Sequence, residues 1–146
     1  MDPISVTLGC IALLPPITKA SNSIGIFVLE VREAGKEMIM VQTELVSLKS
    51  VLQILAQDMG SCPENVFPTN LVENIKSIIA DCKLVVTQIE QCIAAHTNEN
   101  TTKSFKWALF GRDRMLKYQS ILHAYQRSLN MAIETLNMYV PNIRNW

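Results

Sequence analysis

The chain is short of charge. Asp, Glu, Lys and Arg make up 18% of its 146 residues, against a hydrophobic share of 49%. A chain this rich in apolar matter can bury a core, which excludes intrinsic disorder. Gly (5) and Pro (6) are also scarce, so long elements are expected rather than many short strands. The formal net charge is zero, which speaks against a general nucleic-acid binder. The length fits one domain, 1–146, with a sizeable core.

Catalytic raw material is equally thin. There are two histidines, His96 in an expected loop and His123 on an expected helix surface. Nucleophilic catalysis needs a nucleophile, a base and an orienting group brought together, and no pattern places them. No HExxH, Walker A, GxGxxG or GxSxG motif occurs. The expectation is a protein that is not an enzyme, with no cofactor, no metal and no small-molecule substrate.

The four cysteines, Cys10, Cys62, Cys82 and Cys92, form no C-x-x-C pair. They are expected to be free thiols in a reducing cytosol. A metal site from Cys82, Cys92 and a histidine is disfavoured, because ten helical residues separate the thiols by about 15 Å. Asn100-Thr101-Thr102 matches a glycosylation sequon, read as accidental without a secretory signal. Asp2 stands where a signal peptide carries positive charge, so no cleaved signal is expected.

What charge there is lies unevenly. Residues 30–99 hold ten acids and five bases, and residues 100–128 hold six bases and one acid. The first 29 residues hold only Asp2 and Lys19. The chain thus has an apolar head, an acidic middle and a basic third quarter.

Three stretches share one regularity. Met38, Val41, Leu45, Leu48, Leu52, Leu55 and Met59 step by three and four. So do Leu71, Ile75, Ile78, Cys82, Val85, Ile89 and Cys92, and again Tyr118, Leu122, Tyr125, Leu129, Ala132, Leu136 and Tyr139. That alternation keeps side chains on one stripe of an α-helix, whereas a strand needs steps of two. Each stripe spans 22 residues, roughly 33 Å at 1.5 Å per residue. Helices of matched length with such seams pack side by side. Ile39, Val51, Ile79, Val86, Ile93, Ile121 and Ile133 widen the stripes beyond a strict coiled-coil seam, which suits a bundle core.

Boundaries are marked as well. Gly60 with Pro63 reads as a helix stop. Asn70 with Glu73 resembles a capping box. Gly35 separates the first helical region from the second, and His96 to Thr102 reads as a loop. Gly111 with Asp113 starts the last helix and Pro141 ends it. Asp2-Pro3 is a good helix start, but Pro15-Pro16 is expected to kink or split the first helix, giving segments near 3–14 and 16–33. The expected fold is all-α: a single bundle of four long helices, the first kinked or split.

Two regions invite a functional reading. Residues 4–31 are long and apolar enough to cross a hydrocarbon core if straightened; Lys19 and the prolines fit a buried core helix better. The two are compatible if the head is buried at rest and released on activation. The second region interleaves aromatics with bases: Lys103, Phe105, Lys106, Trp107, Phe110, Arg112, Arg114 and Lys117. Such a knot suits anionic headgroups, with Trp at the interface. The plainer reading is a turn whose aromatics plug the bundle end.

The opening Met1-Asp2-Pro3-Ile4-Ser5-Val6-Thr7, together with Trp107-Ala108-Leu109-Phe110, Arg112-Asp113-Arg114 and a helix carrying Tyr125 and Leu129, resembles a fungal family. This is the HeLo-like N-terminal domain of fungal NLR-type and ankyrin proteins, which includes proteins of azaphilone pigment clusters. The resemblance covers nearly the whole chain through diffuse motifs, mostly apolar spacing. It implies a helical bundle serving as a signalling or cell-death effector that oligomerises and disrupts membranes with its first helix. The membrane-active residues it implies are Ile4, Val6, Leu8, Ile11, Leu13 and Leu14. Pro15-Pro16 departs from the smoother helix common in the family. No NACHT, ankyrin or amyloid segment lies within these residues, so a fragment or a stand-alone paralogue is expected.

The expected partners are a second copy or another protein, with an anionic membrane surface as a further candidate and no nucleic acid. The expected location is cytoplasmic, with recruitment to the plasma membrane. The alternative is a plain interaction module that docks helices without membrane activity.

Overall fold

The computed structural model describes residues 3–30, 35–61, 67–97 and 111–139. Among them are four helices and no strand: α1 (Pro3–Glu30), α2 (Gly35–Gly60), α3 (Thr69–Thr97) and α4 (Arg112–Tyr139). The all-α bundle expected from the three repeated stripes is what forms.

The seams explain why. All seven stripe residues of α2 are buried, and in α3 Ile75, Cys82, Val85, Ile89 and Cys92 join them. From α4 come Leu122, Leu129, Ala132 and Leu136, while Leu71, Ile78, Tyr118 and Tyr125 pack at the margin. Of the residues expected to widen the stripes, Val51, Ile79, Val86, Ile93 and Ile133 are buried and Ile121 is partly so. Ile39 is not: it is exposed, one step past the α2 seam residue Met38, and a turn of about 100° per residue carries it round to solvent.

α1 packs against α2 and α3, and α4 packs against the same two helices. The order around the bundle is therefore α1, α2, α4, α3. Contacts fix the directions. Thr18 meets Lys49 and Ser21 meets Gln42, so α1 and α2 are antiparallel. Glu37 meets Arg112 and Glu44 meets Gln119, so α2 and α4 run parallel. Parallel neighbours arise because α2 and α3, consecutive in the chain, lie across the bundle diagonal.

α1 does not split. It runs as one helix from Pro3 to Glu30 with Pro15 and Pro16 inside it. Each proline removes the donor that would serve the carbonyl four residues back, here Ile11 and Ala12. The helix persists because buried residues lie on both sides of the break, with Cys10 and Leu13 before it and Ile17 and Ala20 after. Tertiary burial holds the line that local bonding leaves weak. Pro15 is exposed and Ala12 is too, so the unserved groups lie near water.

Two boundaries differ from expectation. α3 begins at Thr69, and the Pro68 carbonyl accepts from the N–H of both Leu71 and Val72. Asn70 is thus already inside the first turn, where its Oδ1 accepts from the adjacent Leu71 N–H instead of capping from outside. α3 also continues through His96 to Thr97, so His96 is helical and only 98–102 of the expected loop lie outside the described residues. Cys62, Pro63, Pro141 and the 31–33 end of the expected second segment lie outside them as well.

Pro15→Ala restores a donor to the Ile11 carbonyl and removes a ring from the helix interior without emptying the core. Urea denaturation is expected to show a gain of about 1–3 kcal/mol, the helix penalty of proline less its unfolded-state benefit. A loss of stability would mean that the proline ring makes packing contacts stronger than the missing bond.

Candidate interaction surface

α1 carries two apolar seams. Val6, Cys10, Leu13, Ile17, Ala20, Ile24 and Phe27 step by four and three and are all buried. Ile4, Leu8, Ile11, Pro15, Asn22, Ile26 and Leu29 follow the same rhythm, with one step of seven, and are all exposed. At about 100° per residue the second set lies on the side of the helix opposite the first. Leu8 is 61% and Leu29 84% exposed, where Val6 and Ile24 are at 0%. Lys19, beside this outer seam, is the one charge between Ile4 and Leu29. A soluble helix usually sets a polar face opposite its core stripe; this one repeats the apolar stripe.

The remaining flanks of α1 face its neighbours. Thr7, Thr18, Ser21 and Gly25 turn toward α2: Lys49 Nζ donates to Thr18 Oγ1 at 2.9 Å, and Gln42 Nε2 donates to the Ser21 carbonyl at 2.9 Å. Gly9 turns toward Ile79 of α3, within ordinary contact of where a side chain would begin. With both flanks and the inner seam turned to neighbouring helices, the outer seam is the apolar face that the described residues leave to solvent.

The residues singled out from the family resemblance therefore separate into two sets. Val6 and Leu13 are in the core and Leu14 is half-buried, whereas Ile4, Leu8 and Ile11 lie on the outer seam. The sequence alone did not divide them, because both faces of α1 are apolar.

The basic-aromatic block is described only from its end. Lys103, Phe105, Lys106, Trp107 and Phe110 lie outside the described residues. Arg112 is tied to α2: its Nε lies 3.1 Å from Glu37 Oε1, on a carboxylate that is 13% exposed. Arg114 and Lys117 are exposed, and Arg114 reaches Cys92 of α3. Arg112 and Arg114 thus hold α4 to its neighbours as well as carrying charge.

A polar node escaped the sequence reading. Glu44 on α2 accepts from two residues of α4 and lies beside a third. Gln126 Nε2 donates to its carboxylate and, at 3.0 Å, to its backbone carbonyl. Gln119 Nε2 donates at 3.3 Å, and His123 Nδ1 lies 3.4 Å away. The spacing 119, 123, 126 is itself a four-three stripe, running beside Leu122 and Leu129, and that was its signal. The node fixes the register of the α2–α4 pair.

Cys10, Cys82 and Cys92 are free and buried, and Cys82 and Cys92 lie at the apolar positions expected of them. Burial pushes the Cys10 and Cys82 thiols up to about 12; Asp81 and Cys10 add to the effect at Cys82. Burial also raises Cys92, against the opposing pull of Arg114. Thiols held protonated are poor nucleophiles. Among the described residues no cluster of His, Cys, Asp and Glu could hold a metal.

These thiols make stability pH-dependent with a definite sign. In the unfolded chain they ionise near 9.0. Between there and about 12 the unfolded state loses protons that the native state keeps, so stability is full below pH 9 and falls as pH rises. The melting temperature is expected to be level from pH 7 to 8 and to drop above 9, less steeply in Cys10→Ala/Cys82→Ala. Identical slopes in the two proteins would refute the assignment.

Neither a curated protein nor a solved structure matches the chain significantly. A family model described as pigment biosynthesis cluster protein PigL N-terminal matches residues 1–145. The domain that builds this four-helix bundle, with its doubly apolar first helix, belongs to that family of fungal N-terminal helical domains.

Proposed function

We propose that the domain is a non-enzymatic effector of a fungal NLR-like or heteroincompatibility protein, acting in the cytoplasm and at the membrane through the outer seam of α1. The observation that carries this reading is the second apolar seam, directed away from the core. Contiguous exposed apolar surface on a soluble domain marks a place where protein or lipid binds. A helix apolar on both faces finds apolar surroundings for both seams in lipid. The segments Ile4–Glu30 and Gly35–Gly60 are both long and apolar enough to cross a membrane. That property is shared with core helices of soluble bundles, so it supports the reading only for α1, whose second face is unburied.

A second reading has its own support. The outer seam keeps a coiled-coil rhythm, with Asn22 at a position where a polar residue can set register. A second copy or a partner helix could dock there without any membrane activity.

Leakage of dye from anionic vesicles separates these readings. The wild-type chain is expected to release dye, and Leu8→Asp/Ile11→Asp to keep its helicity and release little. Val6→Asp, on the inner seam, is expected to unfold the domain. A folded wild-type chain that leaks no dye at any lipid ratio would end the membrane reading. If sedimentation then shows self-association that the double variant abolishes, the interaction module stands.

A further inference from the structure

Between α1 and α3 lies a partly enclosed groove of about 220 Å³. Its cause is local. Gly9 and Ala12 on α1 and Ala80 on α3 line it, and residues this short leave room between the two helices where longer ones would fill it. Leu13 and Ile79, both buried, form its apolar base. Lys76 and Lys83 stand at its edge, and no carboxylate lines it. Seven residues separate the two lysines, about 10 Å along the helix.

This is amphipathic in a definite sense: an apolar slot with a lysine at each end and no carboxylate among its lining residues. The volume equals roughly seven water molecules and falls below that of a drug-sized pocket. A slot of these dimensions suits a single narrow chain. Lys76 already has an interaction of its own, whereas Lys83 is exposed at the other end.

We propose that the α1–α3 groove binds a medium-chain fatty carboxylate, with the acyl chain along Gly9, Ala12 and Ala80 and the carboxylate paired with the Lys83 ammonium. The chain displaces water from the apolar base, and the charge-assisted bond at Lys83 fixes its direction. A ligand seated there touches α1 and α3 together and holds the first helix in place. Its opposition to any release of α1 rests on the effector reading above; the binding does not, and vesicle leakage and ligand binding can fail separately.

Calorimetric titration of the full chain with dodecanoate, below its micelle-forming concentration, tests the site. One-to-one saturable binding is expected, together with a rise in melting temperature that grows with ligand concentration. Lys83→Gln should weaken binding about tenfold, the loss of one charge-assisted bond. Ala80→Leu, at an exposed position, should fill the slot and abolish binding with helicity unchanged. Dodecyltrimethylammonium, equal in chain and opposite in charge, should bind more weakly than dodecanoate. The proposal is overturned if dodecanoate shows no saturable binding, if the cationic amphiphile binds as well, or if both variants bind like the wild type. Affinity for anionic vesicles without affinity for dodecanoate would also overturn it, by identifying a lipid surface as the source of attraction.

Discussion

The structure depends on the inner seam of α1 lying in the furrow between α2 and α3. Val6, Leu13, Ile17, Ile24 and Phe27 are the large side chains of that seam, and each is almost fully buried. Burying a side chain of this size contributes about 1.5–3 kcal/mol, so the five together supply on the order of 10 kcal/mol as an upper estimate. That is comparable to the whole net stability of an ordinary domain. The consequence is visible at Pro15-Pro16, where the same burial carries the helix across a site that local bonding would break.

Around this contact the bundle uses different means on its two sides. The α1–α2 face joins through two single hydrogen bonds, a charge-assisted one from the Lys49 ammonium to Thr18 and a neutral one from the Gln42 amide to Ser21. The α2–α4 face is held by charge: Arg112 on Glu37, and Glu44 gripped by Gln119, His123 and Gln126. Hydrogen bonds to a charged group contribute more than neutral ones, and they fix one register where a smooth apolar seam would allow several. The helix with the outer seam is thus joined to α2 through one charged donor and one neutral one, whereas the α2–α4 pair is joined through two carboxylates.

Much of this could be read from the residues, and the failures have physical causes. The seams of α2, α3 and α4 were legible because one face is apolar and the other polar, so period alone identifies the core. Ile39 was misread because an apolar residue beside a stripe can fall on either side of its edge. The first helix was expected to be kinked or split at Pro15-Pro16; it is not split, because propensity is local and the burial that carries the helix on is not. The parallel pairing of α2 with α4 was hidden, since a seam specifies a face and not a partner. Glu44 was invisible because a lone carboxylate on a helix is usually solvated; only the Gln119, His123, Gln126 spacing on another helix gives it meaning. In α1 the pattern itself withheld the answer. With two apolar faces, nothing in the period says which of Ile4, Val6, Leu8, Ile11, Leu13 and Leu14 turns inward.

That ambiguity in the pattern is also a property of the molecule. A helix with one apolar seam has a single resting place, and removing it from the bundle leaves that seam in water. α1 has a second seam, and in the bundle Ile4, Leu8, Ile11, Ile26 and Leu29 are in water already. Moving α1 to any apolar surrounding that covers both seams exchanges one buried set for two. The core would lose on the order of 10 kcal/mol of packing with α2 and α3, and the new surrounding would return a similar amount for the inner seam. The outer seam then adds a further gain that the bundle never collects. Against it stand Lys19, the unserved carbonyls of Ile11 and Ala12, and the bonds from Lys49 and Gln42. An unpaired polar backbone group is tolerated beside water and costly in hydrocarbon. The two prolines therefore add little burden to the docked helix, whose broken rungs lie at the surface, and a larger one to the same helix in lipid. They oppose departure from the bundle, and the outer seam favours it.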